Sequence, residues 1–305
     1  NLSNNLKLNV IKEAAKTKKL PLSIFFKTAR INSQEVTRND IFFAIKGKNN
    51  DGNKFVYNSF KRNASLAVVN KIQNKLDSKR QIKVKNTLAF LTDISKIFRK
   101  SIDTNIIAIT GSCGKTTLKE LLGNIFSKIS KVSISPKSYN NKFGVPLSLF
   151  NINQKDEFGI LEVGMDKKGE IDNLSKIIEP DTGVITNINY AHAKSFKNIK
   201  QIALAKSEII YNIKPHGHIV LNADDNFFQL HKKIAEKRNL KVVSFGIDSK
   251  KADIKLIGIK SIGKKFRINI CLNNKKKYFL LSNSFQHNIY NTLSTLAVIS
   301  IYKNI

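Results

Sequence analysis

The hydrophobic pattern changes near residue 105. From there, short apolar runs alternate with longer stretches in which apolar residues recur every three or four positions. Short apolar runs are typical of strands buried on both faces, and the longer spacing is typical of helices with one buried face. The alternation predicts an α/β fold whose mainly parallel sheet is covered by helices. Strands are predicted in the run that begins at Ile106 and at 158–163, 182–188, 218–222 and 242–246, and helices at 170–178, 199–213 and 227–237.

The two ends of the chain follow other patterns. Residues 1–100 predict a small mixed α/β domain, with helices at 8–16 and 88–98 and strands at 40–46 and 66–69. Residues 252–281 alternate between apolar and polar positions, which is typical of an antiparallel hairpin appended to the sheet. A last helix is predicted from about His287. We therefore expect an N-terminal domain over 1–100 and a central domain over 101–305.

The run that begins at Ile106 ends in a glycine-rich loop, Thr110-Gly-Ser-Cys-Gly-Lys-Thr-Thr117. Glycines let backbone N–H groups converge on an anion, and a helix N-terminus adds partial positive charge. In such loops the lysine reaches the β- and γ-phosphates and the next hydroxyl holds Mg²⁺, roles that would fall to Lys115 and Thr116. The usual loop has four residues between its glycines, so this one is a shortened variant. The following helix is predicted to bury one face, formed by Leu118, Leu121, Leu122, Ile125, Phe126 and Ile129.

Charge and cysteine content narrow the class of protein. The chain has 53 basic and 22 acidic residues and a net charge of +31, which would attract nucleic acid or anionic lipid. The basic residues are spread along the whole chain, so we interpret the charge as a compositional bias rather than a nucleic-acid surface. Two cysteines exclude a disulfide framework, and no apolar run is long enough to span a membrane. A monomer in the reducing cytoplasm is expected.

Two polar residues follow predicted strands, at the sheet edge that carries the glycine-rich loop. Glu162 ends the apolar run that begins at Phe158, and His192 follows the next strand. Ligands of parallel sheets bind beyond the carboxyl ends of the strands, and carboxylate oxygens suit Mg²⁺. A solvated acid at a strand end explains Glu162 equally well. A lone histidine is more often a packing residue, although its place after a strand end favours a function for His192.

The other candidates are weaker on residue chemistry alone. Lys206 lies on a predicted helix, where an exposed lysine among many is the simplest interpretation. Asn140 and Asn141 precede a tight turn marked by Gly144 and Pro146, and their amides could bind substrate carbonyls or stabilise the turn. The last helix opens with polar residues that are either ordinary caps or donors to an adenine ring, namely His287, Asn288 and Asn291.

Taken in order, these segments resemble the Mur ligases, the ATP-dependent enzymes that form amide bonds in peptidoglycan synthesis. The glycine-rich loop is similar to the phosphate motif of that family. The resemblance covers nearly the whole chain and rests on further segments: Asp40-Ile-Phe-Phe-Ala-Ile-Lys-Gly47, Asp51-Gly-Asn-Lys-Phe55, Asn140-Asn-Lys-Phe-Gly-Val-Pro146, Glu162-Val-Gly-Met-Asp-Lys-Lys-Gly-Glu170 and Ala205-Lys-Ser-Glu-Ile209.

The resemblance implies an activity, and the family member most like this chain joins D-alanyl-D-alanine to UDP-N-acetylmuramoyl-tripeptide. The tripeptide carboxylate would attack the γ-phosphate of ATP to give an acyl phosphate and ADP, and the dipeptide amine would then attack the activated carbonyl carbon and release phosphate. Glu162 and His192 would be ligands of two Mg²⁺ ions, and Lys206 would become a metal-binding carbamate with CO₂. The remaining implied site residues are Thr110, Gly111, Ser112, Cys113, Gly114, Lys115, Thr116 and Thr117 for the phosphates and Mg²⁺, His287, Asn288 and Asn291 for adenine, and Ser33, Asn140 and Asn141 for substrate.

Two departures from the family pattern matter. The N-terminal domain of these ligases commonly carries an Asp-Ser/Thr-Arg segment near the UDP site, where this chain has Asn32-Ser-Gln34. The family's C-terminal domain, which closes over ATP and helps to bind the incoming amine, is absent from these 305 residues. We therefore expect weak ATP binding and poor ligation by this chain alone, and a competent full-length parent.

Alternatives remain open. Another Mur ligase, or a folylpolyglutamate synthase, shares the phosphate loop and the carbamylated lysine. A basic nucleic-acid-binding ATPase with a phosphate loop predicts hydrolysis that DNA or RNA stimulates, with a steep salt dependence. A non-catalytic remnant would have no reason to retain Lys115, Thr116, Glu162, His192 and Lys206 together.

Overall fold

A computed structural model describes residues 2–15, 27–47, 50–190, 195–272 and 274–303. It divides the chain into two compact units, one made of residues 1–104 and 146–155 and the other of 105–145 and 156–305. In chain order the described elements are α1 (Leu2–Ala15), β1 (Ala29–Arg30), β2 (Ile41–Phe43), α2 (Val56–Lys61), β3 (Leu66–Val69), β4 (Gln81–Lys83), α3 (Thr87–Lys100), β5 (Asn105–Thr110), α4 (Lys115–Phe126), β6 (Val132–Ile134), α5 (Gly144–Asn151), β7 (Phe158–Glu162), α6 (Glu170–Ile178), β8 (Thr182–Ile185), α7 (Ile199–Tyr211), β9 (His218–Asn222), α8 (Phe228–Lys237), β10 (Lys241–Gly246), β11 (Ile254–Ile262), β12 (Lys265–Leu272), β13 (Lys275–Leu281) and α9 (Gln286–Tyr302).

The first unit contains a parallel sheet in the order β1-β2-β3-β4. Asn86 caps helix α3. Its side-chain oxygen accepts hydrogen bonds from two backbone N–H groups of the first turn, as is usual at the start of a helix. The ring of Phe98 on this helix packs edge-on against Phe150, and the ammonium of Lys7 lies over both rings. Residues 146–155 therefore complete the core of this unit, although the predicted domain over 1–100 did not include them.

The second unit contains a larger sheet in the order β13-β12-β11-β10-β9-β8-β5-β7-β6. The pairs from β6 to β11 are parallel, and β11, β12 and β13 pair antiparallel. The predicted α/β fold with an appended antiparallel hairpin is confirmed. Strand β5 lies between β7 and β8. The strands that follow it in the chain therefore lie on both sides of it, with β6 and β7 on one side and β8 and β9 on the other. Parallel sheets bind ligands at such a point, beyond the carboxyl ends of the strands.

The core of the second unit lies where α4 and α9 pack on the sheet. Phe158 of the sheet contacts Phe126 and Tyr302, one from each helix, with ring centroids 4.4 Å and 5.0 Å away. The Tyr302 hydroxyl is 2.7 Å from the Thr182 hydroxyl, and burial raises the pKa of Tyr302 to about 12. This aromatic group fixes α4, and with it the loop that precedes the helix.

Three local predictions need correction. Helix α4 ends at Phe126, so Ile129 lies beyond it and is 50% exposed instead of buried. The predicted turn at Gly144 and Pro146 is the first turn of α5, where proline is tolerated because no intrahelical N–H is lost there. Strand β8 ends at Ile185 rather than residue 188. Strands β1, β4 and β6 were not predicted, because two or three residues are too few to show a period.

Within the described part of the chain, no helix is both long enough and apolar enough to cross a membrane.

Candidate active site

The glycine-rich loop between β5 and α4 requires glycine at two positions. Gly111 has φ = +144° and Gly114 has φ = +83°, a region that L side chains rarely adopt. A Cβ atom at Gly111 would lie 1.9 Å from the hydroxyl oxygen of Thr186, so no side chain fits there. Gly114 caps α4 without a side-chain hydrogen bond. Gly114 therefore has no side chain that could occupy the first N–H groups of the helix.

Residues that follow β8 hold the loop in place. The Ser112 N–H donates to the carbonyl of Asn187, and the Ser112 hydroxyl donates to the carbonyl of Asn189 at 2.9 Å. The Cys113 N–H donates to Asn187 Oδ1 at 3.0 Å, and the Thr186 hydroxyl donates to the Cys113 carbonyl at 2.6 Å. These contacts join positions more than seventy residues apart. They give the loop a fixed shape before any ligand binds.

The start of α4 offers positive charge to an anion. The first N–H groups of a helix have no intrahelical acceptor, and the helix dipole is positive at that end. The Lys115 ammonium folds back over the loop and donates to the Gly111 carbonyl at 2.9 Å. A phosphate at the loop would meet both the N–H groups and the ammonium, so the geometry fits a phosphate ligand.

A buried carboxylate lies next to this loop. Glu162 ends β7 and is 1% exposed. Its Oε2 accepts a hydrogen bond from the Thr116 hydroxyl at 2.7 Å, and its Oε1 accepts one from the Asn140 side-chain amide at 2.7 Å. The Glu162 N–H donates to the Ser135 hydroxyl at 3.2 Å. A carboxylate and a hydroxyl beside a phosphate loop are the oxygen ligands that Mg²⁺ prefers, so these residues fit the cation that the resemblance implies.

His192 cannot be assigned to the site formed by Thr116 and Glu162. His192 lies outside the described residues, so its predicted role as a metal ligand stays a prediction. Among the described residues, no group of three or more histidine, cysteine, aspartate or glutamate side chains could hold a metal ion. A cation at Glu162 would therefore take its other ligands from Thr116, from phosphate oxygens, from water or from residues outside the described ranges.

Lys206 is buried, so its interpretation as an exposed lysine is wrong. It lies on α7 and is 2% exposed. Burial, with a smaller contribution from the positive charge of Lys115, lowers the pKa of Lys206 to about 7. About half of the molecules then carry a neutral amine at this position at neutral pH. A neutral amine is a nucleophile, which an ordinary protonated lysine is not.

A cavity of about 280 Å³ opens beside the loop. Asn291 of α9 lines it and closes it toward the loop, because the Asn291 side-chain oxygen is 3.1 Å from the place of a Cβ atom on Gly114. The cavity is also lined by polar residues that lie at the end of β9 or just after β8 and β9, namely Asn187, Asn189, Asn222, Asp224 and Asp225. Its position and its amide lining suit the base and sugar of a nucleotide whose phosphates occupy the loop.

Residues 109–299 match the family model of the Mur ligase middle domain. The chain belongs to the Mur ligase family. The matched range contains every described part of the candidate active site, from the glycine-rich loop to Asn291.

Individual Mur ligases show how far the likeness extends. The chain is 34% identical over 221 residues to the UDP-N-acetylmuramoyl-tripeptide--D-alanyl-D-alanine ligase of Buchnera aphidicola subsp. Acyrthosiphon pisum, which is 72% of this chain and 48% of that protein. A crystal structure of MurF from Acinetobacter baumannii matches with a TM-score of 0.82 at 27% identity, over 96% of this chain and 64% of that one. The MurF ligase from Thermotoga maritima in complex with ADP matches with a TM-score of 0.78 at 25% identity, over 93% and 65% of the two chains. The chain spans about half the length of the curated relatives it matches.

Not every residue predicted for this Mur ligase site is placed in it. His287 is exposed and stacks on Phe285, and the Asn288 amide donates to Asn283 at 2.5 Å. Of the three residues predicted to line the adenine pocket, Asn291 alone lines the cavity of about 280 Å³. Asn141 caps α5, since its side-chain oxygen accepts from the N–H groups of Phe143 and Gly144.

Ser33 belongs to the other unit of this Mur ligase chain. It is buried in a short 3-10 turn and lines a second cavity, of about 820 Å³. Among the described residues that line this cavity there is no carboxylate, and its wall includes the exposed ring of Phe55 and the cations of Lys61 and Arg62.

The residues that fix the glycine-rich loop were not predicted from the sequence. Thr186, Asn187 and Asn189 follow β8. The same position after a strand selected Glu162 and His192, so it could have selected these residues too. Nothing in their local sequence indicated that they bind a loop far away in the chain.

Proposed function

We propose that this Mur ligase chain carries the MgATP site, at the glycine-rich loop, of a cytoplasmic monomeric enzyme that adds D-alanyl-D-alanine to UDP-N-acetylmuramoyl-tripeptide in peptidoglycan synthesis. The observation that carries the proposal is the buried Glu162 carboxylate, held between Thr116 of α4 and Asn140 beside the loop. Support for the substrates comes from the relatives, whose names specify this ligase, and from the relative solved with ADP.

The proposed chemistry uses the fixed charges of the site. The N–H groups at the start of α4 and the Lys115 ammonium would bind the phosphates of ATP and neutralise the charge that spreads over the γ-phosphate oxygens during transfer. Thr116 and Glu162 would hold Mg²⁺, which supplies further neutralisation of phosphate charge when bound. Because the loop contacts to Thr186, Asn187 and Asn189 already exist, little reorganisation would be needed in the transition state.

We also propose that Lys206 forms a carbamate with CO₂. Its pKa of about 7 supplies the neutral amine whose nitrogen attacks the carbon of CO₂, and the loss of one proton from nitrogen leaves a negatively charged carbamate. A buried cation close to Lys115 would thereby become an anion that can bind a metal. In ¹³C-labelled bicarbonate, a carbamate carbon signal is expected for the natural chain and not for Lys206→Met. A natural chain without the signal would contradict the proposal.

The cavity of about 820 Å³ is proposed to bind the UDP part of the substrate. The family's arginine is replaced by Gln34, and Lys61 and Arg62 would supply the positive charge for a diphosphate instead. The exposed ring of Phe55 offers a surface on which a base can stack. The chain's own cations at this cavity thus compensate for the departure in the motif.

The activity is tested by phosphate release. The complete reading frame, supplied with UDP-N-acetylmuramoyl-tripeptide, ATP and D-alanyl-D-alanine, is expected to release phosphate only when all three are present. These 305 residues are assayed in parallel, and weak ATP binding with poor ligation is expected of them. Turnover with folate and glutamate, or hydrolysis stimulated by DNA or RNA, would contradict the proposed function.

A further inference from the structure

Lys119 is a fully buried lysine for which the proposed chemistry has no use. It lies on α4, one helical turn after Lys115 and Thr116, and its side chain is 0% exposed. Lysine is almost never fully buried unless its charge is paired, because moving the ammonium out of water is costly. The structure must therefore supply acceptors for it.

The ammonium of Lys119 has three N–H donors, and three acceptors are near it. It donates to the carbonyl of Ser135 at 2.7 Å and to the carbonyl of Lys137 at 2.5 Å. Its third neighbour is the carboxylate of Glu120 at 3.1 Å, which is half exposed. The two carbonyls belong to the segment that follows β6, and Lys137 there has φ = +48°, which is unfavourable for a residue with a side chain. Lys119 thus holds this segment in an unusual conformation against α4.

The segment held by Lys119 touches Glu162 at two places. Ser135 accepts the Glu162 N–H on its hydroxyl, and Asn140 donates its amide to the Glu162 carboxylate. Asn140 is held in turn, because its carbonyl accepts the N–H of Gly164 at 2.7 Å. The other oxygen of the carboxylate accepts from Thr116, which lies on the same helix as Lys119. One helix therefore reaches Glu162 both directly and through the segment 135–140.

We propose that Lys119 is a positioning residue for the metal site, which ties the segment 135–140 to α4 so that Thr116 and Asn140 hold the Glu162 carboxylate in one orientation. The inference rests on the proposed MgATP site. Without the two hydrogen bonds from Lys119, Asn140 could move relative to Thr116, and the carboxylate would lose its fixed orientation. Nucleotide binding without Mg²⁺ would change little, because the loop is held separately by Thr186, Asn187 and Asn189.

The proposal is tested with Lys119→Met, which keeps the length of the side chain and removes its three donors. Lys128→Met is the matched control, because it makes the same change at an exposed lysine just beyond the end of α4. Hydrogen–deuterium exchange of residues 135–140 is measured without ligand, and ATP affinity is measured by calorimetry with and without Mg²⁺. In Lys119→Met we expect faster exchange in this segment and a loss of about tenfold in affinity with Mg²⁺. Affinity without Mg²⁺ is expected to stay within about twofold.

Unchanged exchange and unchanged Mg²⁺-dependent affinity in Lys119→Met would overturn the proposal. If Lys119→Met does not fold, Lys119→Gln tests the same connection, because it removes the ammonium that donates to the two carbonyls and keeps a polar side chain. If the natural chain does not bind ATP at all, the proposed function fails, and the exchange data still decide the role of Lys119. Recovery of slow exchange in Lys119→Arg, whose side chain is also a cationic donor, would support the positioning role.

Discussion

Stability of the fold is expected to rise with pH above neutrality because Lys206 is buried. Its pKa is about 7 in the folded chain, against an ordinary value of 10.5. Between these two values the unfolded chain binds one more proton at this residue than the folded chain does. Unfolding therefore takes up a proton, and raising the pH through this window increases the free energy of unfolding. The contribution is smallest below pH 7 and fully gained above the unfolded pKa.

The size of this effect follows from the two pKa values. A full difference between 10.5 and about 7 corresponds to about 5 kcal/mol in total, at about 1.4 kcal/mol for each pKa unit. Over the narrower step from pH 7 to pH 9, the linkage relation gives an increase of about 2 kcal/mol in the free energy of unfolding. That is a large fraction of the stability of an ordinary domain.

The assay is denaturant unfolding of three chains at pH 7 and pH 9 in buffers free of CO₂. The natural chain and Lys200→Met, an exposed lysine change on the same helix, are expected to gain about 2 kcal/mol from Lys206 between the two pH values. Lys206→Met lacks this contribution, so it should be more stable at pH 7 and less dependent on pH. Bicarbonate should stabilise the natural chain and Lys200→Met, and it should not stabilise Lys206→Met. The same pH dependence in Lys206→Met and in the natural chain would refute the reasoning.

Other predictions concern the loop, the metal site and the second cavity. Gly111→Ala should cost about 2 kcal/mol or more in denaturant unfolding, because its Cβ would meet Thr186 at a strained φ; Gly258→Ala, with open space around it, is the control. Glu162→Gln keeps the shape and removes the charge, so calorimetry should show a loss of about tenfold in ATP affinity with Mg²⁺ and little change without it. The double change Lys61→Gln and Arg62→Gln should weaken UDP binding about tenfold or more, whereas Lys54→Gln, outside the cavity, should not; equal affinities would reject the proposed UDP site.

Features that depend on short stretches of chain could be predicted from the sequence. The parallel sheet was visible because strands buried on both faces are apolar throughout, as in Phe158–Glu162. The glycine-rich loop could be predicted because Gly111, Gly114 and Lys115 lie within five consecutive residues. Glu162 was selected by its place at a strand end, and the fold brought it to the loop as expected. Each of these properties is set by local periodicity or by backbone conformation.

Properties that depend on distant contacts were decided by the tertiary structure. Lys119 and Lys206 lie on helices and look like any other lysine in a chain with 53 basic residues, yet packing buries both. Packing gives the two lysines different surroundings: Lys119 donates to two carbonyls, whereas burial, with a smaller contribution from the Lys115 charge, lowers the pKa of Lys206. The sequence by itself determined the elements and the phosphate loop. Only the packing of segments far apart in the chain decided which polar groups lost water and which partners they met, because desolvation and hydrogen bonding depend on neighbours in space.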